Sequence, residues 1–328
     1  MPIITDTFSN VRLGNPTGFR NLAIYPLFTP DGLAPDYLTL DEALEQGLAR
    51  VTEVSESGSV PELAFENLAV CRVLLVDGEE LVGARQSRVL NLSILVAAKS
   101  KVVIPVSCVE QGRWRYVAPT FASAKRNLYA KARAQKMAQV TQSIRTTGTR
   151  RSDQGRIWDS IADKAERMAS YSDTGAVADI YEQQQAKLRD YAGAFAPRDY
   201  QVGAVFAING RVAGADLFDA PATFRKLFAR LVESYAMDAI EADENREEIA
   251  AQQVKQFLAE MAAAATERFA AAGEGEDLRL SGNDLAGGAL VADGRVIHLA
   301  AFPLEFESVG ETAPGHSRPR SRRRRDSE

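Results

Sequence analysis

Cys108 and Glu110 stand two residues apart at the end of a β-branched run and are of types that can do chemistry together. A thiol with a carboxylate beside it suggests a nucleophile and an acid/base group. A cysteine, however, needs a partner such as a histidine to form its thiolate, and no histidine is near in sequence. The residues therefore favour Cys108 as a small buried hydrophobe. Glu110 with Arg113 and Trp114 makes the better site, supplying a carboxylate for proton transfer, a guanidinium for phosphate and an indole for base stacking. The competing reading is an ion pair covered by a tryptophan. Gln86 and Arg88 lead into the strand face of Leu90, where unpaired burial is costly. Arg88 thus requires Glu80, Glu110 or a bound anion. Glu80 is a second acid/base candidate, Asn91 a polar ligand contact and Arg126 a further phosphate partner.

Other chemistries find little material. There is no GxGxxG turn, no GxxxxGK[ST] loop, no HExxH and no GxSxG elbow. With two cysteines, Cys71 and Cys108, and two histidines, His298 and His316, no metal site is expected. A Ser-His-Asp triad would need His298, which lies between Ile297 and Leu299 and reads as a structural strand residue. No cofactor is indicated.

The elements that must position these residues begin with three two-residue turns. Cys71 to Val76, Asp77-Gly78 and Glu79 to Val82 read as strand, turn and strand. Asn209-Gly210 between Val202–Ile208 and Arg211–Ala213 has the same form, as does Asp293-Gly294 between Gly288–Ala292 and Arg295–Ile297. Val89 to Val96 and Lys101 to Glu110 are further strands. Alternation sets Leu90, Leu92, Ile94 and Val96 on one face and Val89, Asn91, Ser93 and Leu95 on the other. Helices are expected over Phe121 to Ile144, after Ser152-Asp153, after Ser172-Asp173-Thr174, from Pro221 and over Asn245 to Ala272. The order predicts an α+β fold, a largely antiparallel sheet built from separated hairpins and packed with a central group of helices.

Charge is unevenly spread. Residues 111–152 hold ten basic and no acidic residues, with Trp114, Tyr116, Phe121 and Tyr129 interleaved, while 36–80 hold eleven acids against Arg50 and Arg72. Either the basic stretch contacts nucleic acid or it pairs with that acidic stretch. The last thirteen residues carry six arginines, so the net charge of −5 leaves −9 on the body. This tail has nothing apolar to pack and is expected to be disordered. At 45% hydrophobic and 25% charged the chain is not wholly disordered, and no apolar run reaches the ~18 residues of a membrane span. Met1 to Asn10 has no leader-like pattern, and the cysteine usage fits a reducing cytoplasm.

Gly78-Glu79-Glu80-Leu81-Val82-Gly83-Ala84-Arg85-Gln86-Ser87-Arg88-Val89-Leu90-Asn91, followed by Ile104-Pro105-Val106-Ser107-Cys108-Val109-Glu110-Gln111-Gly112-Arg113-Trp114, resembles the ADP-ribosylglycohydrolase and rhodanese/phosphatase-superfamily-associated protein domain family, ARPP. Cys108 to Trp114 is its most specific part. Gln154, Trp158, Ser170, Thr174 and Asp216-Leu217-Phe218 are similar to the family pattern too, whereas Ser87 and Leu92 depart from it. The resemblance spans residues 15–305 as a single domain, with 1–14 as an N-terminal segment and 306–328 as the tail. It implies an α+β fold and, through the company of the genes, a link to NAD or ADP-ribose metabolism. It implies no particular reaction.

Three functions follow as expectations. The first is a cytoplasmic domain that binds, and in one version processes, a phosphorylated nucleotide, held by Arg88, Arg113 and Arg126 with Trp114 on its base and Glu80 or Glu110 as acid/base. The second is a non-enzymatic interaction or structural protein. Nucleic-acid binding through 111–152 and the tail ranks last, because the body is acidic. Convergence of Glu80, Gln86, Arg88, Glu110 and Arg113 on one concavity separates the first from the second.

Overall fold

The computed structural model describes residues 3–304 except 31, 56–58, 60, 114–117, 243 and 245–250. Along the chain run α1 (Ile3–Ser9), β1 (Arg12–Leu13), β2 (Thr17–Phe19), β3 (Leu22–Phe28), β4 (Tyr37–Thr39), α2 (Leu40–Glu45), β5 (Ala49–Glu53) and β6 (Glu62–Asn67). Next come β7 (Arg72–Leu75), β8 (Glu79–Gly83), β9 (Arg88–Leu90), β10 (Ile94–Val96), β11 (Lys101–Cys108) and β12 (Phe121–Asn127). The helical middle holds α3 (Ala130–Thr147), α4 (Gln154–Arg167), α5 (Val177–Gln183) and α6 (Gln185–Gly193). Then follow β13 (Gln201–Ile208), β14 (Arg211–Phe218), α7 (Pro221–Glu241), α8 (Ala251–Ala263), β15 (Ala265–Ala270), β16 (Glu276–Ser281), β17 (Leu285–Ala292) and β18 (Arg295–Pro303).

Two of the three expected hairpins form. At Asn209-Gly210 the φ angles are 48° and 74°, and at Asp293-Gly294 they are 49° and 72°. Positive φ at both turn positions matches the twist of paired strands, so β13 pairs with β14 and β17 with β18. The Asp77-Gly78 turn is different and corrects the expectation. Only Gly78 takes a positive φ, 82°, and such a turn splays its strands. Consequently β7 joins a three-stranded sheet, β10-β7-β4, while β8 enters a six-stranded one, β12-β8-β9-β11-β6-β5. The nine-stranded sheet runs β1-β3-β13-β14-β18-β17-β16-β15, with β2 also on β3. All its pairs are antiparallel, and the parallel pair among the described strands is β4 with β7. The α+β, mainly antiparallel architecture is as the element order indicated.

Other boundaries move where tertiary pairing overrides local propensity. Phe121 to Ile144 is not one helix. Its first part pairs with β8 as β12, Phe121 opposite Gly83 and Asn127 opposite Glu79, and the helix starts at Ala130. The expected Asn245–Ala272 helix ends at Ala263, and the strand β15 follows; its start lies outside the described residues. The helix expected after Ser172-Asp173-Thr174 begins at Val177, and Ser172 Oγ instead accepts from Ala176 N–H at 2.9 Å. Val89–Val96 is interrupted at 91–93, where the chain crosses from the six-stranded to the three-stranded sheet. Asp153 caps α4 as expected, accepting from Arg156 N–H, and Pro221 opens α7.

Apolar side chains gather in three cores. One lies between the nine-stranded sheet and helices α3 to α7 and holds Val89 and Leu95. A second, on that sheet's other face, includes Ile4 of α1 and Val254, Phe257 and Met261 of α8. The third fills the smaller sheets and holds Leu90, Leu92, Ile94 and Val96. The alternation read from the sequence survives the break. It leaves Asn91 and Ser93 on the side of the first core.

Candidate functional site

Antiparallel register sets Cys108 of β11 opposite Arg88 of β9, and the chain beyond each strand brings Gln86, Ser87, Glu110 and Arg113 to the same place. Cys108 is fully buried, with Sγ 3.1 Å from Gln86 Oε1 and 3.4 Å from the Glu110 carbonyl. Its backbone exchanges two 2.8 Å hydrogen bonds with the Gln154 amide. Burial pushes its thiol pKa up despite the attraction of Arg88. That environment suits a packed thiol and not a nucleophile. Arg88, also fully buried, donates from Nη1 to Gln86 Oε1 at 3.0 Å.

Glu110 is the centre of this cluster. Arg113 donates to it in bidentate fashion, Nε to Oε1 at 2.7 Å and Nη2 to Oε2 at 2.6 Å. Ser87 adds its N–H at 3.0 Å and its hydroxyl at 2.9 Å, and Thr174 its hydroxyl at 3.3 Å. Burial opposes ionisation, but these donors outweigh it and hold the carboxyl below its ordinary range. Glu110 is therefore an engaged carboxylate. Arg113 spends its remaining Nη1 on the Ala84 carbonyl, 3.3 Å away. The loop is pinned by Gly112, whose N–H donates to Thr174 O at 2.6 Å and whose Cβ, if present, would lie 3.0 Å from that backbone.

Glu80 and Arg126 form a separate pair at 2.5 Å. Glu80 is 1% exposed, and its Oε1 has no hydrogen-bond partner among the described residues. Burial pushes its pKa up, with Arg126 pulling against the shift. The Arg126 guanidinium lies 5.5 Å from the Tyr181 ring centre, and only its Nε is bonded among the described residues. Trp114 lies outside the described residues. Among the described residues, the basic stretch does not present an open cationic face. Lys125, Arg126, Lys136 and Arg151 pair with Glu45, Glu80, Asp77 and Glu62, all from the acidic stretch.

Asn91 belongs elsewhere, to a buried polar network that the residue-by-residue reading missed. It accepts from Ser107 Oγ at 2.5 Å and donates to the Arg150 carbonyl at 2.9 Å, while its own carbonyl receives Lys136 Nζ at 3.1 Å. Lys136 also pairs with Asp77, and Arg133, with no exposed surface, reaches Asp77 and grips Asp216 through Nη2 at 2.5 Å and Nη1 at 3.2 Å. Tyr235 donates to Asp216 at 2.9 Å, and His298 Nε2 stands 3.3 Å away. Burial alone would raise the Asp216 carboxyl; Arg133 and His298 reverse that and hold it well below the carboxylate range. Polar and ionisable residues inside apolar strands, Asp216 in β14, Arg279 in β16 and His298 in β18, were the signal. Beside the network is a cavity of about 20 Å³, room for about one water, lined by Asp77, Ser93, Asp277, Arg279, Gly288 and His298 among others.

Sheets built around buried ion pairs and a small polar cavity define an α+β domain with a charged interior. This chain belongs to the ARPP-1 family, the ARG and Rhodanese-Phosphatase-superfamily-associated Protein domain, whose family model matches residues 10–302. No curated protein and no solved structure matches it. No described helix is long and apolar enough to cross a membrane.

Proposed function

We propose that the chain binds a phosphorylated nucleotide of NAD or ADP-ribose metabolism, with Arg126 taking a phosphate and Glu80 as the proton-transfer group if the ligand is processed. The observation that carries this is the half-used guanidinium of Arg126. Its Nε holds Glu80, and its terminal nitrogens make no hydrogen bond among the described residues. A planar fork of this kind suits phosphate oxygens. The ligand class is supported by the family description, taking ARG as ADP-ribosylglycohydrolase. Arg113 and Arg88 have a lesser part, since Arg113 is fully engaged and Arg88 is buried.

A thermal-shift screen against ADP-ribose, its 1″-phosphate, NAD and plain nucleotides tests it. A ligand at a hundred times its dissociation constant adds about 2.7 kcal/mol of apparent stability. The shift is expected with an ADP-ribose compound and is expected to vanish in Arg126→Ala. No shift with any of them favours the second reading, an interaction or structural protein, which the saturated Glu110–Arg113 pair supports. Nucleic-acid binding stays last, because the basic residues of 111–152 are largely paired within the chain.

A further inference from the structure

We infer that Ser93, His298 and Asp216 form a nucleophilic hydrolytic site for a small ester or other activated acyl group, at the cavity between the small sheets and the nine-stranded one. The site is independent of the nucleotide reading and uses none of its residues. Ser93 lies in the break after β9 and keeps part of its surface accessible. Its Oγ is 2.7 Å from His298 Nδ1 and accepts the Asp77 N–H at 2.9 Å. Asp216, a carboxylate paired with Arg133, accepts the Nε2 proton, so in the neutral imidazole Nδ1 is the acceptor and takes the Ser93 hydroxyl proton. This tautomer is assigned from the hydrogen-bond network. It is the arrangement in which an imidazole receives a hydroxyl proton while a carboxylate holds its far side.

The sheet builds the geometry. Phe218 is registered opposite His298 and Asp216 opposite Ala300, so Asp216 is a diagonal neighbour of His298 on one face. Phe218 stacks on the imidazole with ring centres 4.5 Å apart. Asp216 is a positioning residue, kept anionic by Arg133. Arg279, 2% exposed, lines the same cavity; its Nη2 holds Asp277 at 2.6 Å and its Nε has no hydrogen-bond partner among the described residues. A buried donor without an acceptor is costly, and a developing oxyanion would supply one. Gly288 makes the room, since a Cβ there would lie 3.1 Å from Arg279 Nη1.

The steps balance. Ser93 Oγ bonds to the acyl carbon as its proton passes to His298 Nδ1, and the oxyanion forms beside Arg279. The carbon–oxygen bond to the leaving alcohol breaks, and the alcohol takes the proton from His298. Water then attacks the acyl-serine, gives a proton to His298, and Ser93 departs with that proton to release the acid. The small cavity admits the carbonyl end of a compact acyl group and no large one.

Methanesulfonyl fluoride, small enough for this cavity, tests this on the full chain, because Ser93 Oγ would displace fluoride and keep the methanesulfonyl group. One adduct per chain is expected by intact mass, mapped to the peptide containing Ser93. Ser93→Ala, with an unchanged melting curve, should lose the adduct, and p-nitrophenyl acetate hydrolysis should fall at least tenfold. His298→Gln should slow labelling to a similar extent. An unlabelled native chain, an adduct on another residue, or equal labelling of Ser93→Ala overturns the inference. The wild-type peptide map decides the matter even if a variant does not fold.

Discussion

Ser93 Oγ and His298 Nδ1 meet at 2.7 Å although 205 positions separate them in the chain. The contact joins the crossing between the two small sheets to a central strand of the large one. It sits at the edge of an ionic network, Lys136–Asp77–Arg133–Asp216, that is closed to solvent. Burying so many charges is tolerable only because each has a partner in good geometry. The network is thus a stability element and the wall of a site together.

Removing one partner should be severe. Arg133→Met leaves Asp216 and Asp77 without their shared guanidinium, and a loss of about 3–5 kcal/mol is expected in a urea melt. A change below about 1 kcal/mol would mean that the pair is solvated in solution.

Acid should weaken the fold. The folded-state pKa values of Asp216 and Glu110 lie below the ordinary 3.8 and 4.5. Their contribution is present in full above those values and is lost as pH falls through the depressed ones. Glu80 runs the other way: raised by burial, it contributes most below 4.5 and less as pH rises. Melting temperatures should therefore drop steeply on the acid side, and Asp216→Asn should flatten that limb. An acid limb unchanged in Asp216→Asn would remove Asp216 from its cause.

Thiol chemistry separates the two cysteines. Cys108 is fully buried with a raised pKa, whereas Cys71 is partly exposed. Iodoacetamide on the native protein should modify Cys71 and spare Cys108, and both should react in denaturant. Fast native modification of Cys108 would reopen its reading as a nucleophile.

How much of this was legible is seen best at 89–96. Period-two alternation correctly sent Leu90, Leu92, Ile94 and Val96 to one core and Val89 and Leu95 to another. The chain's change of sheet at 91–93 was hidden, because it depends on distant pairing partners. Gln86, Arg88, Cys108, Glu110 and Arg113 were legible as polar residues flanking two strand runs, but their convergence was not, because it rests on the β9–β11 pairing. Glu80 and Arg126 were expected with them but pair by themselves, on the β8–β12 ladder that the helix expectation for 121–127 had concealed. His298 reads as structural in sequence because only the β14–β18 register brings Asp216 to its side.

Gly288 offers a test of the cavity apart from its polar groups. The Gly288→Ala methyl would crowd Arg279 Nη1 at 3.1 Å without requiring a left-handed backbone. Stability should change by no more than about 1 kcal/mol. Methanesulfonyl fluoride labelling of Ser93 should slow about tenfold, as expected when a reacting group is displaced. Unaltered labelling would show that the substrate does not approach past Gly288.

The most direct measurement for the ligand reading is titration calorimetry of the full chain with ADP-ribose compounds, wild type against Arg126→Ala. A charge-assisted contact to phosphate is worth about 1.5–3 kcal/mol, so Arg126→Ala should weaken binding at least about tenfold at unchanged stoichiometry. Equal affinity in the two proteins, or no heat with the wild type, would contradict the account.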